Sequence, residues 1–254
     1  MHRRLLHRTG YPALEVLIAD NDSRDRRTRA YLDAVVRDRR VRAVPCPGSF
    51  NFAAINNRAA ALARGSVLGF INNDIEVMAP DWLKEMVGHA LRPDVGAVGA
   101  KLLYPSGLVQ HAGVIVGLDG FAGHAHRFYP AGHPGYMGRL MCTQMFSAVT
   151  AACLMMRRDM FKEVGGFDEA TFPVAYNDVD LCLRLGRRGL KTVWTPYAVL
   201  RHKETATRER DYSPARLAQY QRESAAFRAR WGHVIAHDPH YHPLLTRADE
   251  SFLP

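Results

Sequence analysis

Between Leu14 and Leu103 short apolar runs alternate with segments of helical period, and this alternation restricts the fold more than any other feature of the chain. The runs are Leu14–Ala19, Val41–Cys46, Val67–Asn72 and Val95–Leu103. Short apolar stretches bounded by turn residues read as strands covered on both faces. After the first, Asp20-Asn21-Asp22-Ser23 supplies turn and N-cap chemistry for a helix reaching about Arg37. Asn51–Arg64 is alanine-rich and helical, with Gly65 as its expected C-cap, and Pro80 opens a further helix. Strands that alternate with helices in this way predict an α/β fold with a mostly parallel, doubly wound sheet.

Beyond Leu103 the rhythm changes. Leu108–Val116 reads as one strand, and Gly117–Arg139, rich in Gly, His, Pro and aromatic residues, as a long loop of the kind that carries function. Ser147–Arg157 is an apolar strand, Arg158–Val164 a short helix ending at Gly165-Gly166, and Tyr176–Arg188 a helix that opens with acids. Lys191–Pro196 is a strand, and a helix from Ser213 to Trp231 precedes a His/Pro-rich end. A length of 254 residues fits one large domain or two small ones. The pattern favours a single domain over 1–254 with halves at about 11–103 and 104–212 and a C-terminal helix and tail over 213–254.

Hydrophobic content of 47% and charged content of 23% exclude wholesale disorder. Cys46, Cys142, Cys153 and Cys182 stand singly, without a CxxC pair, which argues against a disulfide scaffold or a thiolate zinc site. No apolar run reaches the length of a membrane span, so the expected location is cytoplasmic. The net charge of +9 suits nucleic acid, anionic lipid headgroups or phosphorylated small molecules, and does not choose among them.

Ligands of open α/β sheets bind beyond the carboxyl ends of the strands. Two acidic clusters lie there, Asp20-Asn21-Asp22 and Asn73-Asp74-Ile75-Glu76. Carboxylates leaving a strand can offer oxygen ligands to Mg²⁺ or Mn²⁺, which also take substrate phosphates. In Asn177-Asp178-Val179-Asp180 the acids occupy a first helical turn, where they serve either as caps or, at Asp178, as a general base. His202, after a strand, is either a metal ligand or a surface histidine. His124 and His126, two apart as on one face of a strand, and His133 after them have nothing that fixes a third ligand in the geometry zinc requires, and read better as polar residues of a substrate loop. Walker, GxGxxG, GxSxG and HExxH motifs are absent.

Taken in order, the stretches EVLIADNDS, SFNFAAINNRAAALARGSVLGFINNDIEV, VGAVGAKLLYPSGLVQHAGV, SAVTAACLMMRRDMFKEVGGFDE, the AYNDVDLCLRLGRRGLKTVWTPYAVLRHKETA region and WGHVIAHDPHYHP resemble glycosyltransferase family 2. The resemblance is to its bacterial rhamnosyltransferase-like and O-antigen biosynthesis members, and spans about Leu14 to Pro243. It implies a GT-A fold, with a nucleotide-sugar half, an elaborated acceptor half and a C-terminal helix. By the same resemblance, Asp20 contacts the donor nucleoside with Asp22 and Asn73 nearby. Asp74, Glu76 and His202 hold Mn²⁺ or Mg²⁺, and Asp178 is the base. His111, His124, His126 and Asn177 face the acceptor or form its lid, and Trp194 packs rather than reacts.

The implied activity is metal-dependent, inverting transfer of a sugar from a dTDP- or UDP-sugar, rhamnose being what the resemblance suggests. The acceptor would be a hydroxyl of a cell-envelope polysaccharide or a lipid-linked glycan. Peripheral attachment to the inner face of the cytoplasmic membrane would then account for the positive charge, and no nucleic acid is expected. Two departures stand out. Glu76 replaces the second Asp found in many relatives, and the chain enters at RRLLHRTGYPALEV, where relatives first have a further central strand. Loss of such a strand would leave backbone groups unpaired and apolar faces open. The alternative reading is therefore a truncated, non-catalytic nucleotide-sugar or glycan-binding remnant.

Overall fold

The computed structural model describes residues 2–203, 213–250 and 252–253. Helix α1 (His2–Arg8) leads into β1 (Val16–Asp20), α2 (Arg26–Val35), β2 (Val41–Pro45), α3 (Phe52–Leu62) and β3 (Val67–Ile71). A three-residue strand β4 (Ile75–Val77), α4 (Trp82–Ala90) and β5 (Val95–Leu103) follow. The second half comprises β6 (Val109–His111), β7 (Val114–Val116), β8 (Ala122–His124), β9 (Gln144–Phe146), β10 (Cys153–Arg157), α5 (Arg158–Glu163), α6 (Asn177–Gly186), β11 (Lys191–His202) and α7 (Pro214–Ala236). The expected match at RHKETA runs into residues 204–212, outside the described residues.

The predicted α/β class is observed, with a mixed large sheet ordered β3-β10-β5-β11-β4. β11 runs parallel to β5, and β10 runs antiparallel to both β3 and β5, so β3, β5 and β11 share one direction. Side chains of β10 alternate between two apolar layers: Leu154 and Met156 join one with α3, α6 and α7, and Cys153 and Met155 join the other with α1 and α4. All nine residues of β5 are buried, as a strand covered on both faces requires.

Several local expectations change. Asp25, not the 20–23 turn, caps α2 by accepting the Thr28 N–H at 2.7 Å. Asn51 caps α3 as its position suggests, but the helix ends at Ala63 in extended backbone, so Gly65 is not its C-cap. The run Leu108–Val116 divides into β6 and β7 around Gly113, whose φ of +97° turns the chain. Of Ser147–Arg157 only the last five residues form a strand, and Ala148 before them makes an isolated antiparallel bridge to Val114 of β7. The long loop is more ordered than expected, since β7 and β8 form a hairpin pairing Val114 with His124. Its turn depends on Gly117 (φ +106°), where a Cβ would come within 2.4 Å of the Ile235 carbonyl oxygen.

Strands β1 and β2 pair in parallel but form a sheet of their own. The Glu15 carboxylate, just before β1, accepts the N–H groups of Arg64 (2.6 Å) and Gly65 (3.2 Å), just before β3, which brings the starts of the two strands side by side. Burial alone would raise the Glu15 pKa; bonds from Arg64, Arg42 and Gly65 outweigh it and hold the carboxyl below its ordinary range.

Candidate active site

The site grows from strand ends. β11 pairs antiparallel with β4, setting His202 opposite Ile75, and this register carries the preceding residue, Asp74, to the histidine. His202 Nε2 lies 3.0 Å from Asp74 Oδ1. The other ring nitrogen, Nδ1, is 2.7 Å from Gln110 Oε1 inside the protein. An amide oxygen only accepts, so Nδ1 donates to Gln110 and Nε2 is the nitrogen that faces the Asp74 carboxylate. The Asn72 side-chain amide stands 3.4 Å from the same Nε2. A carboxylate oxygen and an imidazole lone pair at this separation repel unless a proton or a cation lies between them. One hard oxygen and one imidazole nitrogen, oriented from behind by an amide, suit Mn²⁺ or Mg²⁺ sharing its remaining positions with phosphate and water.

Glu76 is not brought to this pair. β4 points Ile75 and Val77 into the core, and Glu76 turns to Arg201 (3.4 Å), Lys203 (3.6 Å) and Arg8 (3.9 Å). No group of three potential His, Cys, Asp or Glu ligands occurs among the described residues.

Two cavities meet at His202 and Asn72. The larger, of about 1700 Å³, has Asp20, Asn73 and Asp74 in its lining. Asp20 Oδ1 accepts the Ser23 N–H at 3.2 Å, which orders the turn beyond β1. The smaller, of about 520 Å³, is lined by His111, His124, Arg127, Asn177 and Asp178. Asp22 and His126 line neither. The Asp22 carboxylate instead accepts the Gly48 N–H at 3.2 Å from an exposed left-handed position.

Asp178 sits in the first turn of α6, where the helix dipole favours a negative charge. Its two oxygens accept the N–H groups of Ala151 and Val179, both at 2.9 Å, which aims the carboxylate along the wall of the smaller cavity. Asn177 is buried and donates to the Val174 carbonyl at 2.6 Å, a positioning contact for the helix start. Asp180 belongs to the structure behind the site: fully buried, it accepts from Arg184 (2.7 Å), Arg230 (2.9 Å) and Trp231 (3.0 Å). His111 and His124 face each other through their Nδ1 atoms at 2.7 Å, so one donates and the other accepts. Burial first, then the neighbouring His124 and His202, hold His111 well below the usual histidine range.

Sequence reasoning missed Gln110, the orienting partner of His202, although it directly precedes the conspicuous His111. It also missed Asn72 and Arg127, whose place beside the site depends on pairings distant in sequence.

His126 lies in the interior, stacked on Phe252 at 4.1 Å, with Nε2 accepting the Tyr136 N–H at 3.2 Å. Burial, aided by Arg139 and other cations, pushes its pKa down to about 3. The unfolded chain therefore binds a proton that the folded chain refuses, and the associated stability is lost as pH falls from about 6.5 toward 3. Acidification from pH 7 to 5 is expected to cost about 2 kcal/mol through this group. His126→Gln, which can still accept from Tyr136, should flatten that decline in denaturant unfolding; an unchanged slope would remove His126 as its source.

Comparison with known proteins connects this geometry to a family. The family model for glycosyl transferase family 2 matches residues 2–165. The O-antigen biosynthesis protein RfbC of Myxococcus xanthus is 46% identical over 243 residues, which cover 95% of this chain and 19% of that protein. The N-acetylglucosaminyl-diphospho-decaprenol L-rhamnosyltransferase of Mycobacterium tuberculosis is 30% identical over 214 residues, covering 76% of this chain and 68% of that enzyme. Among solved structures, the mannosyltransferase PcManGT from Pyrobaculum calidifontis, in complex with GDP-Man and Mn²⁺, superimposes with a TM-score of 0.61. That match is 18% identical and covers 90% of this chain and 60% of the mannosyltransferase, a likeness of fold. The chain spans 28% and 19% of the length of two curated relatives that it matches over nearly all of its own residues.

Proposed function

Because the chain belongs to glycosyl transferase family 2, we propose that it moves a sugar from a nucleoside-diphosphate donor to a hydroxyl of a glycan or lipid-linked glycan. The observation that carries this reading is the Asp74–His202 pair standing where two cavities meet, with Asp178 in the second of them. The larger cavity takes the nucleotide, with Asp20 toward the nucleoside and Asn73 and Asp74 toward the phosphates. Asp74 and His202 hold a divalent cation, Mn²⁺ or Mg²⁺, which when bound neutralises the charge on the departing diphosphate. Asn72 and Gln110 orient the imidazole for that role.

In the smaller cavity Asp178 accepts the proton of the acceptor hydroxyl as its oxygen attacks the anomeric carbon. The bond from that carbon to the diphosphate breaks on the opposite face, so configuration inverts. His111, His124 and Arg127 contact the acceptor, and the β7–β8 hairpin walls the cavity and limits water that would hydrolyse the donor. Rhamnose delivered from a dTDP- or UDP-linked donor is the specific version, supported by the name of the mycobacterial relative. A lipid-linked acceptor and contact with an anionic membrane surface agree with the net charge of +9. No helix among the described residues is long and apolar enough to cross a membrane.

Thermal unfolding in the presence of UDP, dTDP or GDP, each with Mn²⁺, Mg²⁺ or EDTA, tests the reading. A nucleotide at 100 times its dissociation constant adds about 2.7 kcal/mol, worth roughly 5–10 °C for a chain of this length. The expected result is a shift with one nucleotide that EDTA abolishes. A cooperative melt unmoved by every nucleotide would overturn the reading in favour of a non-catalytic glycan-binding role.

A further inference from the structure

Tyr220, Glu223, Phe227 and Trp231, spaced three and four apart, share one face of α7 with Arg230 beside them, and this face meets the start of α6. Arg230 and Trp231 bond to Asp180 in the first turn of α6, at 2.9 and 3.0 Å. Phe227 stacks on Tyr176 with ring centroids 4.6 Å apart, and the Tyr220 and Tyr176 hydroxyls meet at 2.9 Å. Glu223, only 3% exposed, takes hold of backbone instead. Its Oε2 accepts the N–H groups of both Val174 (3.1 Å) and Ala175 (2.5 Å), and its Oε1 accepts from the Gln219 side chain at 2.8 Å.

Two successive N–H groups converging on one oxygen form an anion nest, and this nest holds the segment that leads into α6. That segment is strained. Tyr176 has φ +58°, a left-handed conformation that a residue other than glycine keeps only where its surroundings enforce it. The turn carries the chain from Ala175 into the helix. The Tyr176 carbonyl accepts the Asp180 N–H at 2.8 Å, and the Asn177 side chain donates back to the Val174 carbonyl at 2.6 Å. Asp178 is the second residue after Tyr176, so the direction of its carboxylate follows from this turn. Val174 and Ala175 line both cavities, which puts the turn on the border between them.

We propose that Glu223 is a positioning residue for Asp178: its grip on Val174 and Ala175 fixes the left-handed turn at Tyr176, and through the turn the place of the Asp178 carboxylate. Its importance for sugar transfer rests on the proposed role of Asp178 as base; the grip itself does not. Ala151 reports where that carboxylate stands, because its N–H donates to Asp178 at 2.9 Å from a part of the chain outside both helices. Three substitutions grade the grip. Glu223→Gln keeps an oxygen that can accept both N–H groups, Glu223→Asp keeps the charge on a shorter reach, and Glu223→Ala removes the acceptor.

Amide hydrogen exchange followed by NMR on the 254-residue chain, without ligand, tests the proposal. In Glu223→Ala the amides of Val174, Ala175 and Ala151 should exchange at least about 10-fold faster than in the unaltered chain, and those of Leu183 and Leu185 in α6 at the same rate. Glu223→Gln should return Ala151 to within about twofold of the unaltered chain. In the turnover assay that reads Asp178→Asn, Glu223→Ala should lose on the order of 10²-fold, the cost of shifting a reacting group by about 1 Å, and Glu223→Gln should keep most of the activity. Where Glu223→Ala does not melt cooperatively, Glu223→Asp carries the test and should show the same pattern at smaller size. Ala151 protected as before while Val174 and Ala175 open would overturn the proposal, since the turn would not set Asp178. Faster exchange spread evenly through α6 and α7 would overturn it in favour of a general structural role, and so would Glu223→Gln behaving like Glu223→Ala. Full turnover in Asp178→Asn would remove the base and leave the Ala151 result standing. Loss of turnover in Asp178→Asn, with Ala151 unmoved in Glu223→Ala, would remove only the positioning.

Discussion

Replacing Asp178 with Asn is expected to lower sugar transfer by about 10²- to 10⁴-fold, the usual contribution of a positioned general base. Metal-dependent nucleotide affinity should stay as it was. The substitution keeps the shape of the side chain, and the Asn oxygen can still accept one of the two N–H groups, from Ala151 or Val179, that hold the carboxylate. What is lost is the capacity to take a proton from the acceptor hydroxyl. A turnover assay and nucleotide titration on the same preparation separate these effects. Wild-type turnover in Asp178→Asn would refute the assignment of the base, and joint loss of turnover and nucleotide binding would show that Asp178 holds the α6 start rather than reacts.

The second large effect is expected at Asp74. Asp74→Ala removes the carboxylate 3.0 Å from His202 Nε2, and the response of nucleotide binding to Mn²⁺ should vanish. Gln110→Ala gives a graded comparison. It leaves both proposed ligands in place but frees the imidazole to rotate and change tautomer, and loss of such a supporting partner typically costs 10- to 100-fold in metal affinity. Calorimetric titration of metal with nucleotide present would read both variants. If Asp74→Ala binds metal and nucleotide as the unaltered chain does, the proposed cation site is wrong. A Gln110→Ala variant as damaging as Asp74→Ala would mean that the amide supports the local fold rather than the ring alone.

Each of these effects depends on contacts of very different sequence range, and that range separates what could be read in advance from what could not. The α/β class, β5 at Val95–Leu103 and the Asn51 cap of α3 follow from local patterns: apolar runs, helical spacing and a side chain that satisfies an N–H three residues on. Asp20, Asp74, Asp178 and His202, the residues proposed for the site, could be singled out for the same reason, as acids and a histidine just beyond apolar runs or at a helix start. Glu76 shows where local reading fails. The D-x-E spacing carries no sign that residues 75–77 pair with the end of β11, and that pairing turns Glu76 toward Arg201 and Lys203. Asp22 and His126 were likewise plausible by type, yet one is held by Gly48 and the other packs on Phe252.

The sequence by itself determined the elements, their alternation and the residue types available for chemistry, because propensity, capping and periodicity act over a few residues. Tertiary structure alone decided which of those residues meet. The Asp74–His202 contact spans 128 positions and depends on strand register, since a slip of one residue would turn His202 to the opposite face. Tertiary pairing likewise decides which edge of each strand is bonded: Val16 and Asp20 bond on the β2 side and Ser66 and Asn72 on the β10 side, so alternation turns the intervening backbone groups the other way.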